Sequence, residues 1–162
     1  MNGGMNLDVV FKTDKAVFNY RVAGIWIENG HVLLHRAVTD NHWSLPGGRV
    51  AIAEESKSSI KREFLEELNA EIKIERLIWI VENFFNYEGK DFHEIGLYYS
   101  VKSDENSFEF DNKPFHGVEG ERLVFKWTPI NELKNIELYP DFLRTAINKF
   151  PHNTEHLVVN QL

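Results

Sequence analysis

The chain has 162 residues, 43% of them hydrophobic and 27% charged, which suits one globular domain with a real core and excludes a disordered or fibrous chain. Cysteine is absent, which rules out disulfides, a thiolate nucleophile and a thiolate zinc site. The formal net charge of −7 argues against a broad basic surface for duplex nucleic acid, and leaves room for a small phosphorylated ligand bridged to acidic side chains by a divalent cation.

A single domain over residues 1–162 is expected, with 15–150 as its core and 1–14 and 151–162 as less defined termini. Met1 to Lys15 lacks a basic segment followed by an apolar run, so no signal peptide is expected. No stretch approaches 18 uninterrupted apolar residues, so no membrane span is expected, and a cytoplasmic location fits. Ala16 to Glu28 reads as a strand, Asn29-Gly30 as a hairpin turn, and His31 to Arg36 as the returning strand. The cluster Pro46-Gly47-Gly48 should break any regular element. Glu54 to Leu68 lacks Gly and Pro and repeats Ile60, Phe64 and Leu68 at four-residue spacing, the pattern of a helix with one apolar face. Asn69 follows, a residue that tolerates the left-handed conformation at a helix end.

From Ile72 to Tyr87 the chain is apolar and aromatic, interrupted at Glu75-Arg76 and Glu82-Asn83, and reads as one or two strands. Glu88-Gly89 is a turn and Phe92 to Val101 the partner strand. Ser103 to Gly120 reads as a long loop with a short strand near Phe108, and Arg122 to Trp127 as another strand. Pro129 to Leu133 suits a helical turn. Pro140 suits the first turn of a helix running to about Lys149, with Phe142, Ala146 and Phe150 on one face. The last dozen residues are an edge strand or a tail. Strands on both sides of a central helix, with a second helix near the end, indicate an α/β class: an α/β/α sandwich around a mixed sheet.

The stretch that carries chemistry is Gly48 to Ala70. Glu63, Glu66 and Glu67 stand at i, i+3 and i+4, within an arc of about 100° on a helix. Like charges so spaced disfavour a helix, and a hard divalent cation removes that penalty, because magnesium prefers carboxylate oxygen. Arg62 sits beside the arc, where its fork can orient a carboxylate. Glu54 lies at the favourable end of the helix dipole. Three glutamates alone are as well explained by a solvated acidic face. Their place directly behind a Pro-Gly-Gly loop, which offers backbone groups to phosphate or metal, tips the reading towards a site.

The spacing then becomes specific. Gly48 is followed by five residues, then Glu54; seven residues later come Arg62, Glu63, Phe64, Leu65, Glu66, Glu67, Leu68, Asn69 and Ala70. This resembles the signature of the Nudix hydrolases, of the MutT-like phosphohydrolase kind, with every charged position filled. The preceding Trp43-Ser44-Leu45-Pro46-Gly47 looks like the usual approach to it. Asn69 stands where the family has Gly, and Ala53 where Gly is common before Glu54; neither change removes a charge.

The resemblance implies that Glu63, Glu66 and Glu67 bind Mg2+, with Mn2+ as a substitute, together with the carbonyl of Gly47. It implies that Arg62 and Glu54 orient the glutamates, and that water attacks one phosphorus of a diphosphate. Glu63 is one candidate general base; Glu94, Glu119 and Glu121 are others, or extra metal or substrate contacts. The implied partner is a small nucleotide-like diphosphate, a nucleoside diphosphate derivative or a nucleoside triphosphate, and a homodimer is a family expectation.

Tyr87 lies seventeen residues beyond Ala70, where hydrolases of diadenosine polyphosphates often carry Tyr, although a packing role in its aromatic strand competes. The Pro of ADP-ribose hydrolases is missing at Phe85-Asn86, and the extra motifs of the NADH and coenzyme A hydrolases are not visible. Trp26, Trp43, Phe84, Phe85 and Trp127 are candidates to stack on a base, with core packing as the default for each. The histidines show no zinc-ligand spacing. Two other readings stay open: a Nudix domain that senses a nucleotide without turning it over, and a hydrolase of RNA 5′ ends.

Overall fold

The computed structural model describes residues 7–104 and 110–162. Among them nine strands form one mixed sheet. In chain order the elements are β1 (Val10–Lys12), β2 (Ala16–Glu28), β3 (His31–Ala37), β4 (Gly47–Arg49), α1 (Ser56–Leu68), β5 (Ile72–Tyr87), β6 (Lys90–Ser103), β7 (Phe115–His116) and β8 (Leu123–Pro129). A 3-10 helix (Ile130–Asn135), a single α turn, α2 (Leu143–Ala146), and β9 (Glu155–Asn160) complete them. The strand order is β7-β8-β3-β2-β6-β5-β9, with β1 and β4 also paired to β2.

Strand β2 is the hub. It runs parallel to β6 over Ala16–Trp26 and antiparallel to β1, β4 and β3 on its other edge. Its pleat sorts the two cores. Val22 and Trp26 join Leu33, Ile60, Phe64 and Trp127 under α1. Ala23 and Ile25 face the opposite layer, with Trp79, Leu133 and Leu143 beneath the 3-10 helix and α2. This is the α/β/α sandwich that the periodicities imply. Gly24 lies where Phe64 comes down on the strand; a Cβ there would sit 2.7 Å from the ring.

The turn residues explain the reversals. Asn29 and Gly30 have φ of 49° and 71°, the pair of positive values a tight two-residue hairpin needs. Glu88 and Gly89 repeat it with 51° and 78°. The helix ends as expected, with Asn69 left-handed at φ 50° and its N–H donating to Leu65 O at 2.9 Å.

Several expectations are corrected. The Pro-Gly-Gly cluster is more than a break, since Gly47–Arg49 pairs with Arg21–Ala23. The helix begins at Ser56, not Glu54, because the Glu54 side chain turns back to accept from the Ala51 N–H at 3.2 Å. Ile72 to Tyr87 is one strand; its polar interruption at Glu75-Arg76 falls at the first of two register shifts against β6, the second lying between Leu77 and Trp79. The helix expected from Pro140 to Lys149 shrinks to α2, although Phe142, Ala146 and Phe150 do pack on one core. The strand in the long loop is Phe115–His116, and the one expected near Phe108 lies outside the described residues. The C-terminal segment is an edge strand, parallel to β5. Among the described residues no helix is long and apolar enough to cross a membrane.

Ala53, in the loop from β4 to α1, has φ of 64°. A side chain there costs about 1–2 kcal/mol relative to glycine, partly offset by the entropy glycine adds to the unfolded chain. Ala53→Gly should therefore stabilise the protein by about 1 kcal/mol, seen as a rise in Tm of ~2–4 °C. An unchanged or lower midpoint in thermal unfolding would contradict the strain.

Candidate active site

The acidic helix face is organised by one guanidinium. Arg62 Nε donates to Glu54 Oε2 at 2.7 Å and Nη2 to Glu54 Oε1 at 2.9 Å, a forked pair. Nη1 donates to Glu63 Oε1 at 3.0 Å and to Glu66 Oε2 at 3.1 Å. Nη2 also reaches the Arg49 carbonyl at 3.3 Å, which ties the helix to the end of β4. The forked hydrogen bond from Arg62 holds the Glu54 carboxyl well below the usual carboxylate range, at about 2, and Arg62 is itself raised by the same bond.

Glu63 and Glu67 face a cavity of about 580 Å³ together with Gly47 and Gly48. Glu66 does not line it; its side chain is 48% exposed and held at the rim by Arg62. Gly48 lets the loop backbone close on the helix, since a Cβ there would stand 2.4 Å from the Glu63 carboxylate. Burial raises Glu63, with Arg62 pulling the other way. Burial, and next the charge of Glu63, push the Glu67 carboxyl up to about 8. Among the described residues no donor hydrogen-bonds to the Glu67 carboxylate, and no three acidic or histidine side chains already converge on one point.

Spacing along the chain does not reveal the rest of this cavity. His35, on β3, places Nδ1 4.0 Å from Glu67 Oε2, and that nitrogen is buried without a hydrogen-bond partner. Burial, followed by Arg21 and Arg122, lowers His35 to about 3, so the ring is neutral near pH 7. Arg21, Arg36, Arg49 and Arg122 also line the cavity, a basic set inside a chain of net charge −7. Their only sequence signal is lone arginines in or beside otherwise apolar strands.

A second cavity of about 720 Å³ shares Asn19, Arg21, His42, Tyr87 and Glu94 with the first, so the two form one cleft with an acidic end and an aromatic end. Tyr87 lines both; its hydroxyl donates to Asp40 Oδ1 at 3.1 Å. Glu94 also lines both and is buried; burial raises it, opposed by Arg21 and by a hydrogen bond from Asn19. Glu119 pairs with Arg122 at 3.5 Å and lines a small pocket that also includes Glu67 and Arg122, beside the acidic end of the cleft. Glu121 is exposed and lines neither cavity.

Of the stacking candidates, Phe85 lines the aromatic end. Trp26 and Trp127 are fully buried in the core beneath α1. Trp43 lies under the Arg36 guanidinium at 5.1 Å, and Phe84 stacks on His93 at 4.5 Å.

A family model described as NUDIX domain matches residues 19–150. The chain belongs to the NUDIX family. No match was found among curated proteins. A NUDIX hydrolase from Nitrosomonas europaea superposes with a TM-score of 0.62 at 20% identity, over 88% of this chain and 79% of that one. A MutT NUDIX hydrolase from Burkholderia pseudomallei gives 0.51 at 26% identity, over 70% and 84%. A UDP-X diphosphatase gives 0.58 at 18% identity, over 86% of this chain and 66% of that one. The match, with every charged position of the motif filled, makes the protein a NUDIX pyrophosphohydrolase.

The Glu54–Arg62 pair has a testable pH signature. A carboxylate held at about 2 contributes stability above its unfolded value of 4.5 and loses it as pH falls between the two. Glu54→Gln should destabilise the NUDIX domain by about 1 kcal/mol at pH 7, the amount left to a pair that water still screens. That difference should shrink as pH falls from 4.5 towards 2, as read by urea unfolding at each pH. A difference independent of pH across this window would refute the assignment.

Proposed function

We propose that the protein hydrolyses the diphosphate linkage of a nucleotide, with Mg2+ held by Glu63, Glu67 and the carbonyl of Gly47, and with Glu66, which stands at the rim on Arg62, turning in to complete the set. The observation that carries this reading is the buried Glu67 carboxylate, which faces the cleft beside Glu63 and takes no hydrogen bond from any described residue. A buried acid without a donor is costly unless a cation compensates it, and a set made only of oxygen atoms suits magnesium. Mn2+ has similar ligand preferences and should substitute. Magnesium, when bound, would neutralise phosphate charge and make an attacking water more acidic.

The chain's own groups supply the remainder. Arg62, fixed by Glu54, sets the positions of Glu63 and Glu66. Arg21, Arg49 and Arg122 offer positive charge to the phosphates along the same wall. Arg62 holds Oε1 of Glu63, which leaves Oε2 as the candidate acceptor of the proton from attacking water. The bridging P–O bond breaks as the new P–O bond forms, and the leaving phosphate keeps the electron pair. A UDP-X diphosphatase and a MutT protein from Bacillus halodurans among the structural neighbours support this class. A cytoplasmic location and a single catalytic domain remain part of the proposal.

The test is a phosphate-release assay with sugar nucleotides, dinucleoside polyphosphates, nucleoside triphosphates and capped RNA, with and without Mg2+. Wild type should turn over at least one class only with the metal. Glu67→Gln should lose at least ~100-fold in kcat/KM while keeping its fold. Gly48→Ala should keep its Tm but lose about 100-fold, because it displaces the Glu63 carboxylate. Wild-type silence across the panel would favour a nucleotide sensor instead, and equal rates for Glu67→Gln and wild type would overturn the site.

A further inference from the structure

The sheet end of the cleft holds a row of buried polar groups that the phosphate chemistry does not use. Arg49 Nε donates to Asn19 Oδ1 at 2.9 Å, which fixes the amide of Asn19. Its Nδ2 is thereby turned to Glu94 Oε2, at a long 3.5 Å. Asn19 and Glu94 are register partners in the parallel pair β2–β6, and Glu94 and Asn83 are register partners in the antiparallel pair β6–β5. Asn83 is 6% exposed, lines the aromatic cavity, and its Oδ1 has no hydrogen-bond partner.

The Glu94 carboxylate, whose side-chain donor is Asn19 at a long 3.5 Å, and the Asn83 amide oxygen, which has no partner, thus hold unused acceptor capacity side by side in the cavity lining. Leaving such groups unmade is costly, so the complement belongs to a ligand. Aromatic groups flank them: Phe85 lies two residues beyond Asn83, Phe92 two before Glu94, and Tyr139 lines the same cavity. Stacking on such walls accepts every base alike, so discrimination has to come from the polar floor.

The donor pattern selects among bases. Adenine and cytosine offer a donor next to an acceptor on their pairing edges, and uracil a lone N–H between two carbonyls. A 2-amino-6-oxopurine offers N1–H and the 2-amino group side by side, the arrangement that a carboxylate accepts bidentately. We propose that Glu94 and Asn83 are specificity-determining residues that read the N1–H and 2-amino edge of a guanine-type base. This inference rests on the reading of the substrate as a nucleotide, and deepens it by naming the base class. Glu94 would contact substrate in the aromatic half of the cleft, while Glu63 and Glu67 act at the phosphates. Asn19, which touches Glu94 and is itself held by Arg49, is a positioning residue.

The test separates base reading from turnover. Binding of GMP, IMP, AMP and dGMP to the full chain is measured by calorimetry with metal chelated, so that no hydrolysis intervenes. GMP should bind about tenfold or more tightly than IMP, which lacks only the 2-amino group, and than AMP. dGMP should match GMP within about threefold, because the floor reads the base and not the ribose diol. Glu94→Gln, which places a donor against donors, should bring GMP to within about threefold of IMP. Equal affinity for the three bases, no measurable GMP binding, or a dGMP loss as large as that of IMP overturns the inference, and the wild-type panel alone suffices if the variant fails to fold. Turnover of nucleotides with Mg2+ but without base preference would sink this inference and leave the hydrolase reading intact. Selective GMP binding with no turnover of any guanine nucleotide would do the reverse.

Discussion

The site depends on a single guanidinium with more carboxylates than it can neutralise. Arg62 satisfies Glu54 through a fork, touches Glu63 and Glu66 through its third nitrogen, and reaches back to the carbonyl of Arg49. One planar group therefore locks the loop, the first turns of α1 and the end of β4 into one corner. A lysine has a point charge on a flexible stem and could not serve these directions together. What Arg62 leaves unserved is Glu67, buried one turn further along and facing the cleft. The distribution of positive charge thus divides the acids into those that hold the frame and one that awaits a counter-charge.

That division was legible in the chain only in part. The i, i+3, i+4 spacing and the preceding arginine identify the acidic face, and the Pro-Gly-Gly loop identifies its approach. Spacing does not show that Glu66 turns to the rim while Glu63 and Glu67 turn inward, because that depends on which side of α1 packs against β4. His35 was illegible for a related reason. It comes beside Glu67 through the antiparallel partnership of β3 with β8 and the packing of α1 above, which no local pattern encodes.

Within the fold, elements dictated by local chemistry were readable: β2, the Asn29-Gly30 hairpin, α1 and its left-handed Asn69. Elements decided by partners were not. Gly47–Arg49 becomes a strand because β2 has an open edge there, although two glycines in a row signal a turn. The helix expected after Pro140 shortens to one turn, although its apolar residues still reach the core. Likewise, alternation along β2, β5 and β6 shows that Asn19, Asn83 and Glu94 share a pleat parity with other residues of their own strands. Only the register places the three in one row.

The shared strand β2 has a further consequence. Its outer half carries Asn19 and Arg21 into the cleft, while Val22 and Trp26 anchor the layer that supports the helix. Residues on the cleft side of β5 and β6 alternate with residues facing the other way, so each can be exchanged without disturbing the packing beneath α1. The end that grips phosphates and the end that meets the rest of the ligand thus rest on different packing and meet through Arg49, whose carbonyl accepts from Arg62 and whose side chain holds Asn19. Such an arrangement lets one scaffold drift among ligands by small edits to a sheet surface while its bond-breaking corner stays as it is.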